Sequence, residues 1–428
     1  MYSPKSYLRF IILTPIIVIL LTIGWYQTSI DHKNFPDKNK LQFDQSYIIA
    51  GYFVSWGIYE RNYNVVDLKP SQLSHVLYAF ANPNSDGTVL LGDPWADTDI
   101  RFEADKTVDG VVDPWKEVDT ALHGNFKQLG LLKQQHRHLK VSLSIGGWSW
   151  SGNYTQLAGK EASRKQFAKT AVDHVINLGL DGIDIDWEFP KDSQDATNYV
   201  LLLKEVREQL DDYHTHFDPS DEPFLLSVAM PCGPENYNIL KLKEMSEYVD
   251  IFYLMAYDFA GAWDDVTGHQ SNLYGGKTNV DQAVRGFEAA GVPSRKIVMG
   301  MPVYGRGFSK SDNTTGSSFN GVPKGSWEEG SYDYKDLPQP NAVEYYDPDT
   351  VASWSYDAKK KEFVTYDSPK VIEAKCDYIE ENGLGGAMLW ELTADANDKE
   401  RSIVDTIYGK LGSKMIKTNN HVVYPAID

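Results

Sequence analysis

Residues 181–190 read Asp-Gly-Ile-Asp-Ile-Asp-Trp-Glu-Phe-Pro, with acidic side chains at 184, 186 and 188 alternating with Ile185 and Trp187. An extended strand sends successive side chains to opposite faces, so Asp184, Asp186 and Glu188 share one face, each about 6–7 Å from the next. Ile185 and Trp187 cover the other face. Three carboxylates this close repel one another, so at least one is expected to hold its proton to higher pH. A carboxylic acid still protonated near neutrality is what a general acid requires. The competing readings are a calcium-binding acidic loop and a solvated acidic edge, but calcium loops usually carry Asn, Gly and Ser between their ligands. Here the intervening residues are Ile183, Ile185 and Trp187, which suit a buried strand.

Eight apolar, strand-like runs recur along the chain: Tyr47–Val54, Ser74–Phe80, Lys140–Ile145, Gly182–Glu188, Phe224–Met230, Asp250–Ala256, Lys296–Val303 and Gly386–Leu392. Helical periodicity appears between them over Trp115–Arg137, Glu161–Leu178, Thr197–Asp211, Asp281–Ala290 and Pro369–Glu381. Strands alternating with helices predict a closed parallel (β/α)8 TIM barrel. Such barrels carry their reactive groups at strand C-terminal ends, and Glu188 ends the fourth run. About 80 residues separate the seventh and eighth runs, too many for one helix and its loops. Residues 305–367, rich in Gly, Tyr and Trp, therefore read as a small α+β insertion domain. The expected organisation is a signal segment and linker over 1–45, a barrel over 46–304 and 368–412, the insertion over 305–367, and a short tail over 413–428.

The net charge of −19 argues against nucleic acid and against attraction to anionic membranes. The two cysteines, Cys232 and Cys376, form neither a disulfide framework nor a metal site, and the sequence leaves open whether they pair. The histidines show no metal-ligand spacing, and no cofactor is expected. At the N-terminus, Lys5 and Arg9 precede an apolar run from Phe10 to Trp25, followed by Tyr26. This is a charged region followed by a hydrophobic one. A signal-anchor through residues 10–26 is favoured over a cleaved signal peptide. Either route leads into the secretory pathway, to a membrane-anchored or a secreted enzyme. Asn153-Tyr-Thr and Asn313-Thr-Thr are sequons consistent with that route.

The pattern Asp181-x-x-Asp184-x-Asp186-x-Glu188 resembles the signature of glycoside hydrolase family 18, the chitinases. Further matches extend the resemblance over about residues 46–410. Ser142-x-Ser144-x-Gly146-Gly147-Trp148 is similar to the family's second signature. Glycines at a strand end let the backbone turn sharply and approach a ligand. The resemblance implies that Ser144 hydrogen-bonds Asp184, that Trp148 is a platform for a sugar, and that Gly146, Gly147, Ser149 and Phe189 border the substrate. Met255-x-Tyr257-Asp258 is similar to a third element. By period two, Met255 and Tyr257 point the same way. Tyr257 would donate to the substrate's acetamide, and Asp258 would meet the sugar beyond the scissile bond. Arg306 looks like a substrate-binding arginine, although a lone arginine is more often a surface ion pair. Trp390 looks like the tryptophan that floors the reacting subsite, with Tyr52 lining the same pocket. Phe80 is a weaker candidate.

The resemblance implies hydrolysis of β-1,4 bonds in chitin or chito-oligosaccharides by a monomeric enzyme, with retention and with help from the substrate's own N-acetyl group. In that scheme Glu188 is the acid and base. Asp186 holds the acetamide nitrogen, Asp184 tunes Asp186, and Tyr257 orients the acetamide. An insertion at this place implies a wall along the barrel mouth and a deep groove. Two rivals remain: an inactive chitin-binding lectin on the same fold, and an endo-β-N-acetylglucosaminidase acting on N-glycans. The retained Glu188, Asp186 and Tyr257 weigh against the first. The insertion with Trp148 and Trp390 weighs against the second. Endo or exo action is not legible here.

Overall fold

The computed structural model describes residues 46–114, 122–215 and 222–424. The described part from residue 46 begins with β1 (Ile48–Val54), β2 (His75–Pro83), a short β3 (Val89–Leu91), β4 (Lys140–Gly146) and β5 (Gly182–Asp186). It continues with β6 (Leu225–Pro231), β7 (Ile251–Met255), β8 (Ile297–Pro302) and β9 (Tyr304–Ser309). Next come β10 (Ser331–Asp333), β11 (Val343–Asp347), β12 (Ala352–Asp357), β13 (Glu362–Tyr366) and β14 (Gly386–Trp390). Eight strands pair in parallel in the order β1-β14-β8-β7-β6-β5-β4-β2, and the β1–β2 pairing closes the ring. β3 adds to β2 in the antiparallel sense. This is the TIM barrel the strand-and-helix rhythm predicts.

Period-two alternation builds two cores. Ala50, Tyr52 and Val54 of β1 point inward and join Leu77, Ala79, Tyr253, Val298 and Met388. Ile49 and Phe53 point outward, into the larger layer between strands and helices. On β5 the same alternation puts Ile183 and Ile185 outside, with Asp184 and Asp186 inside. Trp187 continues the outward side: it is buried, lies 5.2 Å from the Tyr154 ring in a stacked arrangement and 5.1 Å from Tyr199.

Between β8 and β14, strands β9–β13 form a separate five-stranded antiparallel sheet in the order β10-β9-β13-β12-β11. Its helical content is one 3-10 turn, Tyr334–Asp336.

Among the boundaries that differ from expectation, three have a local cause. The fourth barrel strand stops at Asp186, so Glu188 stands two residues beyond it rather than within it. The helix expected over Trp115–Arg137 runs Gly124–Gln135, because Gly124 takes φ +63°, which a right-handed helix cannot pass through; residues 115–121 lie outside the described residues. The helix expected over Thr197–Asp211 runs Ser193–His214, because the Asp192 side chain accepts from the backbone N–H groups of Gln194 and Asp195 and starts it early. Cys232 and Cys376 are both buried and unpaired with each other. Among the described residues no helix is long and apolar enough to cross a membrane; the expected signal-anchor lies outside them.

Opposite the strand C-terminal ends, the signature's first acid is structural. Asp181 accepts the Val141 N–H at 2.7 Å, the His421 N–H at 2.8 Å and the Lys133 ammonium at 2.8 Å. The tail runs across this end. Asn420 donates its amide to the carbonyls of Lys133, His136 and Leu139 at 3.0, 3.2 and 2.8 Å, satisfying groups that the end of helix Gly124–Gln135 leaves open. Asn420→Ala removes these donors together and should lower unfolding stability by about 1–3 kcal/mol, measured by urea denaturation; an unchanged midpoint would show that these bonds contribute nothing.

Candidate active site

The site is built on the inner face of β5, where the register sets β4 and β6 on either side. Ser144 lies opposite Asp184 on one side and Ser227 on the other. Both hydroxyls donate to Asp184 at 2.7 Å, Ser144 to Oδ2 and Ser227 to Oδ1. Tyr52, from β1 across the barrel, adds its hydroxyl to Oδ2 at 2.9 Å. Asp184 is thus fully buried and fully partnered. Burial raises its proton affinity, and the three donors oppose that rise.

Asp186, one pleat further on, is in the contrary position. It is buried, and its Oδ1 has no hydrogen-bond partner among the described residues. Burial, then the charges of Glu188 and Asp184, push its proton affinity well up. Glu188 is half-buried. Burial, then the charge of Asp258, raise it to about 7, against one backbone N–H donated by Trp148.

The β4 end makes room for this arrangement. Gly146 takes φ +113°, and a Cβ there would sit 2.2 Å from the Asp186 carbonyl oxygen. Gly147 takes φ +75°, and its Cβ would press on the Phe80 ring at 2.8 Å. Only glycine lets the two strand ends lie this close. The Gly147 N–H donates to the Asp186 carbonyl at 2.9 Å, and the Glu188 N–H donates to the Ser151 hydroxyl at 2.7 Å. These bonds replace strand pairing after Asp186, which is why β5 ends there and Glu188 turns toward the rim.

The structure gathers most of the expected residues at this rim. Tyr52 packs edge-on against Trp390 at 5.1 Å, and Phe80 stacks on Trp390 at 5.7 Å. Tyr257 is half-buried; burial, then the charges of Asp186, Glu188 and Asp258, hold its hydroxyl protonated far above neutrality. Met255 and Phe189 are half-buried, while Ser149 is exposed and Trp148 is 76% exposed, open to a flat partner. Arg306 and Asp258 come together in a two-pronged ion pair, Nε to Oδ1 at 2.8 Å and the second prong to Oδ2 at 2.9 Å. The Tyr304 hydroxyl adds 2.6 Å to the same Oδ1. Arg306 is therefore neither a free cation nor a lone surface pair.

Beside the carboxylates runs a cleft of about 610 Å3, lined by Trp56, Arg61, Asp258, Arg306, Trp327, Asp333 and Trp390 among others. Its far wall comes from the inserted sheet. Arg61 bridges Asp333 at 3.1 Å and Glu391 at 3.4 Å and lies 4.8 Å over the Trp327 ring. Sequence reasoning missed Arg61, Trp327, Asp333 and Glu391, whose contacts join segments hundreds of residues apart. It also missed Ser151 and Ser227. Ser227 did leave a signal, as a polar residue at an inward position of the apolar run Leu225-Leu-Ser-Val-Ala-Met230. Among the described residues no group of three or more His, Cys, Asp or Glu could hold a metal ion.

The folded-state proton affinity of Glu188, about 7 against an ordinary 4.5, has a consequence for stability. A carboxyl that binds its proton more tightly when folded stabilises the fold below the ordinary value and loses that contribution as pH rises through 7. Glu188→Gln should therefore leave stability near pH 4 unchanged and raise it above pH 7, on the order of 2 kcal/mol after allowing for partial exposure. Thermal melts at both pH values check this, and a gain equal at both would contradict the assignment.

The model for Glycosyl hydrolases family 18 matches residues 48–395. The chain is 44% identical over 397 residues to Endochitinase 1 of Metarhizium robertsii, covering 91% of each. It is 43% identical over 383 residues to Chitinase 1 of Aphanocladium album, covering 88% of each. Among solved structures, the catalytic domain of psychrophilic chitinase B from Arthrobacter TAD20 superposes with a TM-score of 0.80 at 30% identity, over 89% of this chain and 99% of that one. With a closed barrel, an acidic β5 and a family match over most of its length, the chain belongs to glycosyl hydrolases family 18.

Proposed function

We propose that this protein is a chitinase that cuts β-1,4 bonds between N-acetylglucosamine units with retention, using the substrate's acetamide as nucleophile. The observation that carries the reading is the contrast between two adjacent aspartates. Asp184 has three donors, whereas Asp186 is buried with an oxygen left open, beside Glu188 and near Tyr257. An open, buried carboxylate is suited to a donor and a positive charge that arrive with the substrate. The names of the fungal relatives support the same substrate.

In this scheme Glu188 gives its proton to the glycosidic oxygen. The acetamide oxygen attacks the anomeric carbon as that bond breaks, which forms an oxazolinium ion. Asp186 accepts the acetamide N–H and balances its developing charge. Tyr257 donates to the acetamide oxygen and aims it. Asp184, held by Ser144, Ser227 and Tyr52, sets the charge that Asp186 feels. Glu188 then takes a proton from the water that opens the ring, so acid and base are one residue and no second carboxylate across the sugar is required. Trp390 with Tyr52 and Phe80 forms the floor for the reacting sugar, and Trp148 offers a platform on the leaving side. Gly146, Gly147, Ser149, Phe189 and Met255 border the site. The Asp258–Arg306 pair presents polar edges to the chain.

The inserted sheet over 305–367 serves as one wall of a groove for a neutral polymer. The hydrophobic segment at 10–26 directs the catalytic unit into the secretory pathway, as an anchored or a secreted monomer.

Glu188→Gln should lower kcat on chito-oligosaccharides roughly 10^2–10^4-fold, and wild-type turnover in that variant would refute its role. Because the acid must carry its proton, kcat/KM should fall as pH rises through an apparent value of about 7. Fully deacetylated chitosan oligomers should not be cut. Equal rates on acetylated and deacetylated chains would rule out the acetamide as nucleophile.

A further inference from the structure

The turn that carries Tyr257 and Asp258 leaves β7 in an unusual conformation. Asp258 takes φ +60°, a left-handed value that a residue with a side chain adopts only when its surroundings hold it there. Residues 270–271 supply one grip. The Phe259 N–H donates to the Gln270 carbonyl at 3.0 Å, and the Ser271 hydroxyl donates to the Ala256 carbonyl at 2.9 Å. The peptide that starts at Ala256 ends at Tyr257, so this hydroxyl fixes the plane from which the Tyr257 side chain springs.

Ser271 is itself fixed by a buried charge. The Lys375 ammonium donates to the Ser271 oxygen at 2.6 Å and to Asp367 Oδ2 at 2.5 Å. A hydroxyl that accepts from an ammonium has its hydrogen left for an acceptor. The Ala256 carbonyl is nearer than Asp367, which lies 3.3 Å away. Lys375 and Asp367 are both buried, so water does not compete for these bonds. Gln270 is anchored from the inserted sheet: its amide donates to the Tyr304 carbonyl at 2.8 Å and to the Thr365 carbonyl at 3.3 Å. Asp367 follows the last strand of that sheet.

We propose that Gln270, Ser271, Asp367 and Lys375 form a positioning relay, through which the inserted sheet sets the orientation of Tyr257 and Asp258. The sheet then has a role in the reaction besides walling the groove. None of the four touches substrate; they act through the Ala256–Phe259 turn. The inference rests on the chitinase reading, in which Tyr257 aims the acetamide. Loosening the turn should harm the step in which the acetamide is aimed, more than the binding of distant sugars.

The test compares wild type, Ser271→Ala, Ser271→Thr and Gln270→Met. Ser271→Ala keeps the Lys375–Asp367 pair intact and removes only the hydroxyl. Its kcat on chitotetraose should fall roughly tenfold, the effect of one lost hydrogen bond, with KM changed less than twofold. Its affinity for chitobiose thiazoline, a mimic of the oxazolinium ion, should fall by a similar factor. Ser271→Thr should recover both, because it keeps the hydroxyl. Should Ser271→Ala fail to fold, Gln270→Met carries the same expectation from the other grip. A folded variant with wild-type kcat and thiazoline affinity overturns the relay and leaves the chitinase reading standing. A wild type that neither cuts chitotetraose nor binds the thiazoline overturns the chitinase reading first, and the relay with it.

Discussion

Burying three carboxylates within five residues of one strand end is the constraint around which this structure is arranged. An ionised carboxylate in a dry interior is costly unless hydrogen bonds replace its water. The barrel supplies them unequally. Asp184 receives hydroxyls from Ser144, Ser227 and Tyr52, drawn from three different strands. Asp186 is left with an open oxygen. Glu188 is lifted to the rim, where its proton affinity sits near neutrality. The same chemical group thus occurs in three environments within one motif, and the proposed division of labour follows from those environments.

The rest of the molecule can be understood as support for that gradient. Closure of the barrel brings Tyr52 of β1 onto Asp184 of β5, a contact between strands three places apart in the ring. Glycines at 146 and 147 let β4 close onto the Asp186 carbonyl. At the other end, Asp181 and the tail residues Asn420 and His421 fix where β5 begins. The inserted sheet reaches the site twice: directly, as Tyr304 and Arg306 grip the Asp258 side chain, and indirectly, by holding Gln270, whose carbonyl accepts the Phe259 N–H.

Much of this was legible in the sequence because it is local and periodic. Alternation of Ile183, Ile185 and Trp187 with Asp184 and Asp186 gave the inward and outward faces correctly. The Gly-Gly pair at a strand end signalled a close approach. Periodicity did not say where pairing stops. The alternating pattern runs on to Glu188, but the Asp186 carbonyl and the Glu188 N–H are bonded to Gly147 and Ser151, so the strand ends earlier. Long-range partners were least legible. Arg306 and Asp258 were each singled out, yet nothing across a separation of 48 positions says that they pair. Arg61 with Asp333 and Glu391, and Lys375 with Ser271 and Asp367, depend on how the inserted sheet meets the barrel, which pattern alone does not specify.

In the proposed reaction the acetamide attacks the anomeric carbon from the face opposite the leaving group, and water later enters from the face that the leaving group vacated. Proton NMR of the first products from chitotetraose, recorded before mutarotation, reports this directly. β anomers are expected at the newly formed reducing ends. A predominance of α anomers would mean that water displaces the leaving group in a single step, and the role given to Asp186 would be wrong.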